Sequence, residues 1–255
     1  MTLKTRNNII VIALVFSAVV TILSIAAVVL VYLDSEDSEL LQKSIPPFLY
    51  AVCSCVVGVS IQFSFRKTLS AEITLFLVFI TLVSFDALKP GILLLHFFDK
   101  PVAWSVHLTR IIHLFRFAGL FCFVTAGLFA SGLTAQRLTI TLGLCFFIAC
   151  TFAIIIPVDS SIREDNFLYR LGMHRDIQTA VIALEILGAV NYVTAALRNN
   201  EKAYLAATLG AGCAIVGREL LFFHHSLLTV VPGIGLFLFG TILYANKIHR
   251  IYLWK

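Results

Sequence analysis

The chain has 255 residues, 60% of them hydrophobic and 13% charged, with a mean hydropathy of +0.97. An ordinary soluble domain carries about 25% charged residues, and one soluble core cannot hide this much apolar surface, whereas a helical bundle covered by lipid can. A nucleic-acid-binding module, a secreted disulfide scaffold and a disordered chain are excluded, and the formal net charge of +5 is scattered among membrane edges rather than gathered into a phosphate-binding face.

In chain order, eight apolar runs are long enough to cross about 30 Å at about 1.5 Å per residue. They cover 9–33, 46–65, 71–97, 106–131, 138–156, 177–197, 203–223 and 227–246. The first follows Lys4 and Arg6 and is too long for a signal-peptide core, so it is expected to be an uncleaved span. Pro90-Gly91 should kink or break the third. The longest loop is 157–176, and the seventh run is the weakest because Arg218 and Glu219 interrupt it. No internal repeat or soluble segment separates the runs. The expectation is an all-α polytopic membrane protein, 1–255 forming a single transmembrane domain of eight helices in one bundle, with no cytoplasmic output domain. Cys53, Cys55, Cys122, Cys145, Cys150 and Cys213 all fall within apolar runs, as small buried hydrophobes rather than disulfide or zinc partners.

Charge orients the bundle. With the N-terminus inside, the inner segments hold ten basic residues (Lys4, Arg6, Arg66, Lys67, Arg137, Arg198, Lys202, Lys247, Arg250 and Lys255) and the outer loops five (Lys43, Lys100, Arg163, Arg170 and Arg175). The excess favours cytoplasmic N- and C-termini, in a bacterial inner membrane. Glu72 and Glu201 are the acidic residues of the inner segments, and Trp104 and Trp254 stand at opposite edges like an aromatic belt.

With that topology, His96, His107, His113, His174, His224 and His225 map to the outer half, and His249 alone lies inside. The charges within the spans also gather in the outer half: Asp86, Lys89, Arg110, Arg116, Glu185, Arg218 and Glu219. Each costs a few kcal/mol at the centre of a span, so such residues face the bundle interior and pair. Helical spacing puts Asp86, Lys89, Leu93 and His96 on one face, Arg110, His113 and Arg116 on another, and Gln178, Ile182, Glu185 and Tyr192 on a third. Arg218, Phe222 and His225 make a fourth, bordered by Glu219. A network of this kind can lock helix packing alone. It can also line a pocket open to the outside, where arginines would hold an anionic group. The expected ligand-binding residues are Asp86, Lys89, Arg110, His113, Arg116, Glu185, Arg218, Glu219 and His225.

The rival chemistries are haem or zinc held by His96, His113 or His225, and small-solute transport around the breaks at Pro90-Gly91 and Pro232-Gly233. Against haem, no CxxCH motif is present. Against zinc, His224 and His225 are adjacent, which points their rings to different faces. Lys247 lies at the inner end of its span, where a retinal lysine would not, and no GxSxG, HExxH or phosphate-loop motif supports an enzyme.

Three stretches resemble one family in pattern. They are Phe85-Asp86-Ala87-Leu88 followed by the arginine-bearing Arg110–Phe117; Gly172-Met173-His174 leading to Glu185; and Arg218-Glu219-Leu220-Leu221-Phe222-Phe223 before a glycine-containing last span. Together they cover about half the chain and are similar to bacterial membrane-associated sensor domains of the MASE type. Those domains have about eight spans and precede an output domain. The resemblance implies a sensor module that signals through a partner, and it specifies no ligand. The expected partners are the bilayer, a small anionic ligand or lipid, and another membrane or signalling protein.

Overall fold

The computed structural model describes residues 3–35, 38–68, 70–132, 138–164, 166–199, 202–223 and 227–253. Nine α-helices occur among them: α1 (Leu3–Ser35), α2 (Ser38–Phe65), α3 (Ala71–Val83), α4 (Pro90–Phe97), α5 (Val102–Ala130), α6 (Leu138–Ile155), α7 (His174–Asn199), α8 (Lys202–Phe223) and α9 (Leu227–Leu253). Taking α3 and α4 as one span, eight segments have the length and apolarity to cross a membrane. That is the mark of a multi-pass integral membrane protein. Each of the eight runs of the sequence overlaps one of these segments. The helices reach beyond several of them: α1 begins at Leu3, and α2 begins at Ser38 and runs through Pro46 and Pro47.

The third span is the axis of the bundle. Its most apolar window is 89% buried, against 22% for α6. Both faces of α3 therefore carry large side chains, and Phe76, Phe79, Ile80 and Leu75 are fully enclosed. Ser70 caps its N-terminus, its Oγ accepting from the Ile73 N–H at 3.3 Å. The expected break is real but starts earlier than Pro90. Ser84–Leu88 tightens into a 3-10 turn, and Pro90 then opens α4 at its first position, where its missing N–H costs nothing. α5 packs on α3, α6 and α7, and is the second most enclosed span.

α8 and α9 form the most extensive helix pair. The seam between them is made of glycine. A Cβ on Gly240 would lie 2.4 Å from the Ala214 nitrogen, and one on Gly217 would lie 2.5 Å from the Phe237 nitrogen. Small residues let two backbones approach this closely, the usual means of holding helices together where lipid removes the hydrophobic driving force.

The all-α class holds, with a small addition inside loop 157–176. β1 (Val158–Arg163) and β2 (Tyr169–Leu171) pair antiparallel, Val158 opposite Leu171 and Asp159 opposite Arg170. The turn between them uses a left-handed Phe167 (φ 70°). Asn166, Phe167, Leu168 and Tyr169 fold inward and are buried, and Leu168 packs with Ile92, Ile112 and Phe222. The hairpin thus closes one end of the bundle, called the hairpin end below.

Candidate functional site

The site assembles where the third span breaks. Lys89 stands at the junction of the 3-10 turn and α4 and is completely buried. Its Nζ donates to Asp86 Oδ2 at 3.0 Å and to the Phe222 carbonyl oxygen at 3.0 Å, and lies 3.9 Å from the centre of the Phe222 ring. Asn166 of the hairpin donates to the same carbonyl at 3.3 Å. Phe222 is in the last turn of α8, where carbonyls lack partners within the helix. A lysine and an asparagine from distant segments supply them here, and the cation suits the negative end of the helix.

One helical turn back along α8, Arg218 and Glu219 meet α5. Glu219 Oε2 accepts from Arg116 Nη2 at 2.5 Å and Glu219 Oε1 accepts from Arg218 Nη1 at 3.0 Å, so one carboxylate bridges two guanidiniums. Arg218 Nη2 also donates to the Arg116 carbonyl at 2.8 Å. The Arg116 guanidinium lies 4.3 Å from the Phe222 ring and 4.6 Å from the Phe223 ring. Such cation–π contacts gain strength when water is excluded. Glu185 of α7 faces this group, with Glu219, Arg218 and Arg116 as its electrostatic neighbours, and its Oε1 is buried without a hydrogen-bond partner.

Most of the expected residues are therefore brought together: Asp86, Lys89, Arg116, Glu185, Arg218 and Glu219. His113 joins them at the edge, buried, stacked on the Phe117 ring and tilted against that of Phe222, with Nδ1 unpartnered. Arg110 does not join. It is half-buried, forms no ion pair among the described residues, and its Nε has no hydrogen-bond partner. A step of three residues turns it away from the face shared by His113 and Arg116. His225 lies outside the described residues. His96 is exposed and its Nε2 bonds the Tyr169 hydroxyl at 3.0 Å. Among the described residues, no three of the His, Cys, Asp and Glu side chains gather as a metal ion would need.

Two participants carry no obvious signal in the sequence. Tyr50 of α2 is fully enclosed, has Asp86, Arg218 and Glu219 as electrostatic neighbours, and its hydroxyl is unpartnered. The Phe222 carbonyl is backbone. Its role could be found only by asking which helix end is buried.

Outside the ion pairs, towards the hairpin, lies a recess lined by His113, Arg116, Glu164, His174, Gln178 and Phe223 among others. It has room for about one water molecule, ≈ 10 Å³. His174 Nδ1 and Glu164 Oε1 stand 3.4 Å apart at its mouth. Two of its lining residues keep a buried nitrogen without a hydrogen-bond partner, Nδ1 of His113 and Nε of Arg116. The arrangement can hold one small hydrogen-bonding group, and a carboxylate oxygen would meet a guanidinium there.

No family model matches this sequence, and no curated protein matches it.

Proposed function

We propose that this is a non-enzymatic, receptor-like sensor of the bacterial inner membrane with both termini in the cytoplasm, binding a small anionic group in the recess at the hairpin end. The observation that carries this reading is that His113 and Arg116, which line a recess of one water's size, each keep a buried nitrogen without a partner. A buried donor without a partner is costly, and a ligand oxygen would relieve that cost. The basic excess of the segments at the opposite end supports the cytoplasmic assignment of the termini.

Signalling would run through the clamp between α5 and α8. A ligand oxygen on Arg116 competes with Glu219 and loosens the tie between the two helices. α8 and α9 share a close seam and would shift together, and α9 leads to the basic C-terminal end. The ligand would then select between two packings of one bundle, read by a partner protein at the cytoplasmic face.

Thermal unfolding of the purified protein with increasing sodium butyrate tests the recess. A bound carboxylate raises the midpoint by mass action, and the rise should shrink in His113→Phe and Gln178→Leu. Equal rises in all three proteins, or none in the wild type, would overturn the reading. A reporter fused after Lys255 tests the topology and should be active only in the cytoplasm.

A further inference from the structure

The recess does not stand alone. α6 and α7 both pack on α5, and between them they leave an apolar groove of ≈ 380 Å³ floored by Phe117 and Phe121 and walled by Phe152, Ile155, Ala180 and Leu184. This is within the size range of small-molecule sites. Ile177 lines both the groove and the recess, so the two adjoin across one side chain, with His113 and Arg116 on the recess side of it. Several of its walls are exposed: Phe152, Ile155 and Ala180 face outward from the bundle. In a membrane-embedded protein, such a groove opens sideways to the acyl-chain region rather than to water.

The two halves have complementary chemistry. Of the groove's lining residues only Asp176 carries a charge, and the rest suit an apolar chain. The recess admits one small oxygen-bearing group, too little room for a phosphodiester headgroup with its substituents. Arg116 supplies the positive charge, and His113 and Arg116, which line the recess, each keep a buried nitrogen without a partner. A single-chain amphiphile ending in a carboxylate meets every one of these demands. A neutral long-chain alcohol has no charge for the guanidinium, and a two-chain phospholipid leaves one chain and a bulky head unaccommodated.

We infer that the ligand of the recess is a long-chain fatty acid, entering laterally from the bilayer between α6 and α7 with its chain in the groove and its carboxylate at Arg116 and His113. This rests on the recess reading above and adds the chain. Affinity would come mainly from apolar burial along the groove, which grows by about 0.8 kcal/mol per buried methylene. The carboxylate would set orientation and deliver the signal to the Arg116–Glu219 clamp.

The test is equilibrium binding of radiolabelled palmitate to the full-length protein in phosphatidylcholine nanodiscs. Hexadecanol serves as the uncharged competitor and sodium butyrate as the chainless one. Ala180→Trp fills the groove from an exposed position, and Leu209→Trp places the same ring on an exposed position of α8 away from it. The expected result is saturable palmitate binding, at least about tenfold weaker in Ala180→Trp, unchanged in Leu209→Trp, and displaced poorly by hexadecanol. Butyrate stabilisation should survive in Ala180→Trp. If butyrate stabilises the protein but palmitate shows no saturable binding, or binds equally in Ala180→Trp, the chain inference is overturned and the recess reading stands. If palmitate binds and hexadecanol displaces it as well as palmitate does, the carboxylate assignment is overturned. If neither butyrate nor palmitate acts on the wild type, both readings fall.

Discussion

The two ends of the bundle bury polar groups by opposite means. At the hairpin end the solution is ionic: Lys89 with Asp86, and Arg116 and Arg218 sharing Glu219. At the other end a buried carboxylate is held by neutral hydroxyls. The Tyr244 hydroxyl donates to Glu72 Oε1 at 2.9 Å and lies 3.0 Å from the Tyr192 hydroxyl, and all three residues are buried. Tyr244 also packs on Phe76 with ring centroids 3.8 Å apart. The sequence places Glu72 among the charges of an inner segment, yet it lies inside the bundle. The ionic end leaves several polar atoms unpartnered: Tyr50 Oη, Glu185 Oε1, His113 Nδ1 and Arg116 Nε. A short chain of hydroxyls ending on one carboxylate oxygen ties three helices with no mobile charge, whereas a charge cluster with spare donors keeps capacity for something else. That is the physical difference between a packing device and a candidate site.

Four substitutions measure the contrast, each by unfolding midpoint in mild detergent. The largest effect should come from Glu219→Ala, which strands two buried guanidiniums. Breaking a buried pair costs about 3–5 kcal/mol, and a loss under about 1 kcal/mol would show that water already solvates the cluster. Next is Gly240→Val on the glycine seam, where even a Cβ would overlap the Ala214 nitrogen and the Gly210 oxygen. Overpacking of this kind costs about 1–3 kcal/mol, and an unchanged midpoint would mean that α8 and α9 separate easily. Tyr244→Phe should follow, with a loss of about 1–2 kcal/mol from removing the donor to Glu72. Tyr50→Phe should have the smallest effect and the opposite sign, a gain of up to about 1 kcal/mol, because its hydroxyl is buried without a partner. If the two tyrosines respond alike, the distinction between a hydroxyl-linked and an ionic polar network fails.

The spans are legible because length and apolarity suffice to define them. Their ends are less so, since Ser38–Ile45 and Leu3–Asn8 are helical without being uniformly apolar. The hairpin escapes notice because its strands are short and β1 is mostly exposed. The cluster is legible for one reason: a charge within a span must find company. Which charge it finds depends on helix rotation and on the break at Ser84–Leu88, and neither follows from spacing. Arg110 shows the limit. It steps in register with His113 and Arg116, yet a turn of three residues per step drifts round the helix and carries it off the shared face. Tyr50 shows the converse, a neutral residue in an apolar run whose place in the cluster is fixed only by packing.

Arg6 has a consequence for the order in which the bundle can be completed. From the first turns of α1, its guanidinium donates to the Phe65 oxygen at 2.9 Å, to the Arg66 oxygen at 3.3 Å and to the Thr68 oxygen. Asn7 Nδ2 adds a bond to the Arg66 oxygen at 2.8 Å. The last carbonyl of α2 and two carbonyls of the turn after it are thus bonded by the start of α1. Every bond of this clasp lies between residues 6 and 68, so during synthesis it can form before the axial third helix is made.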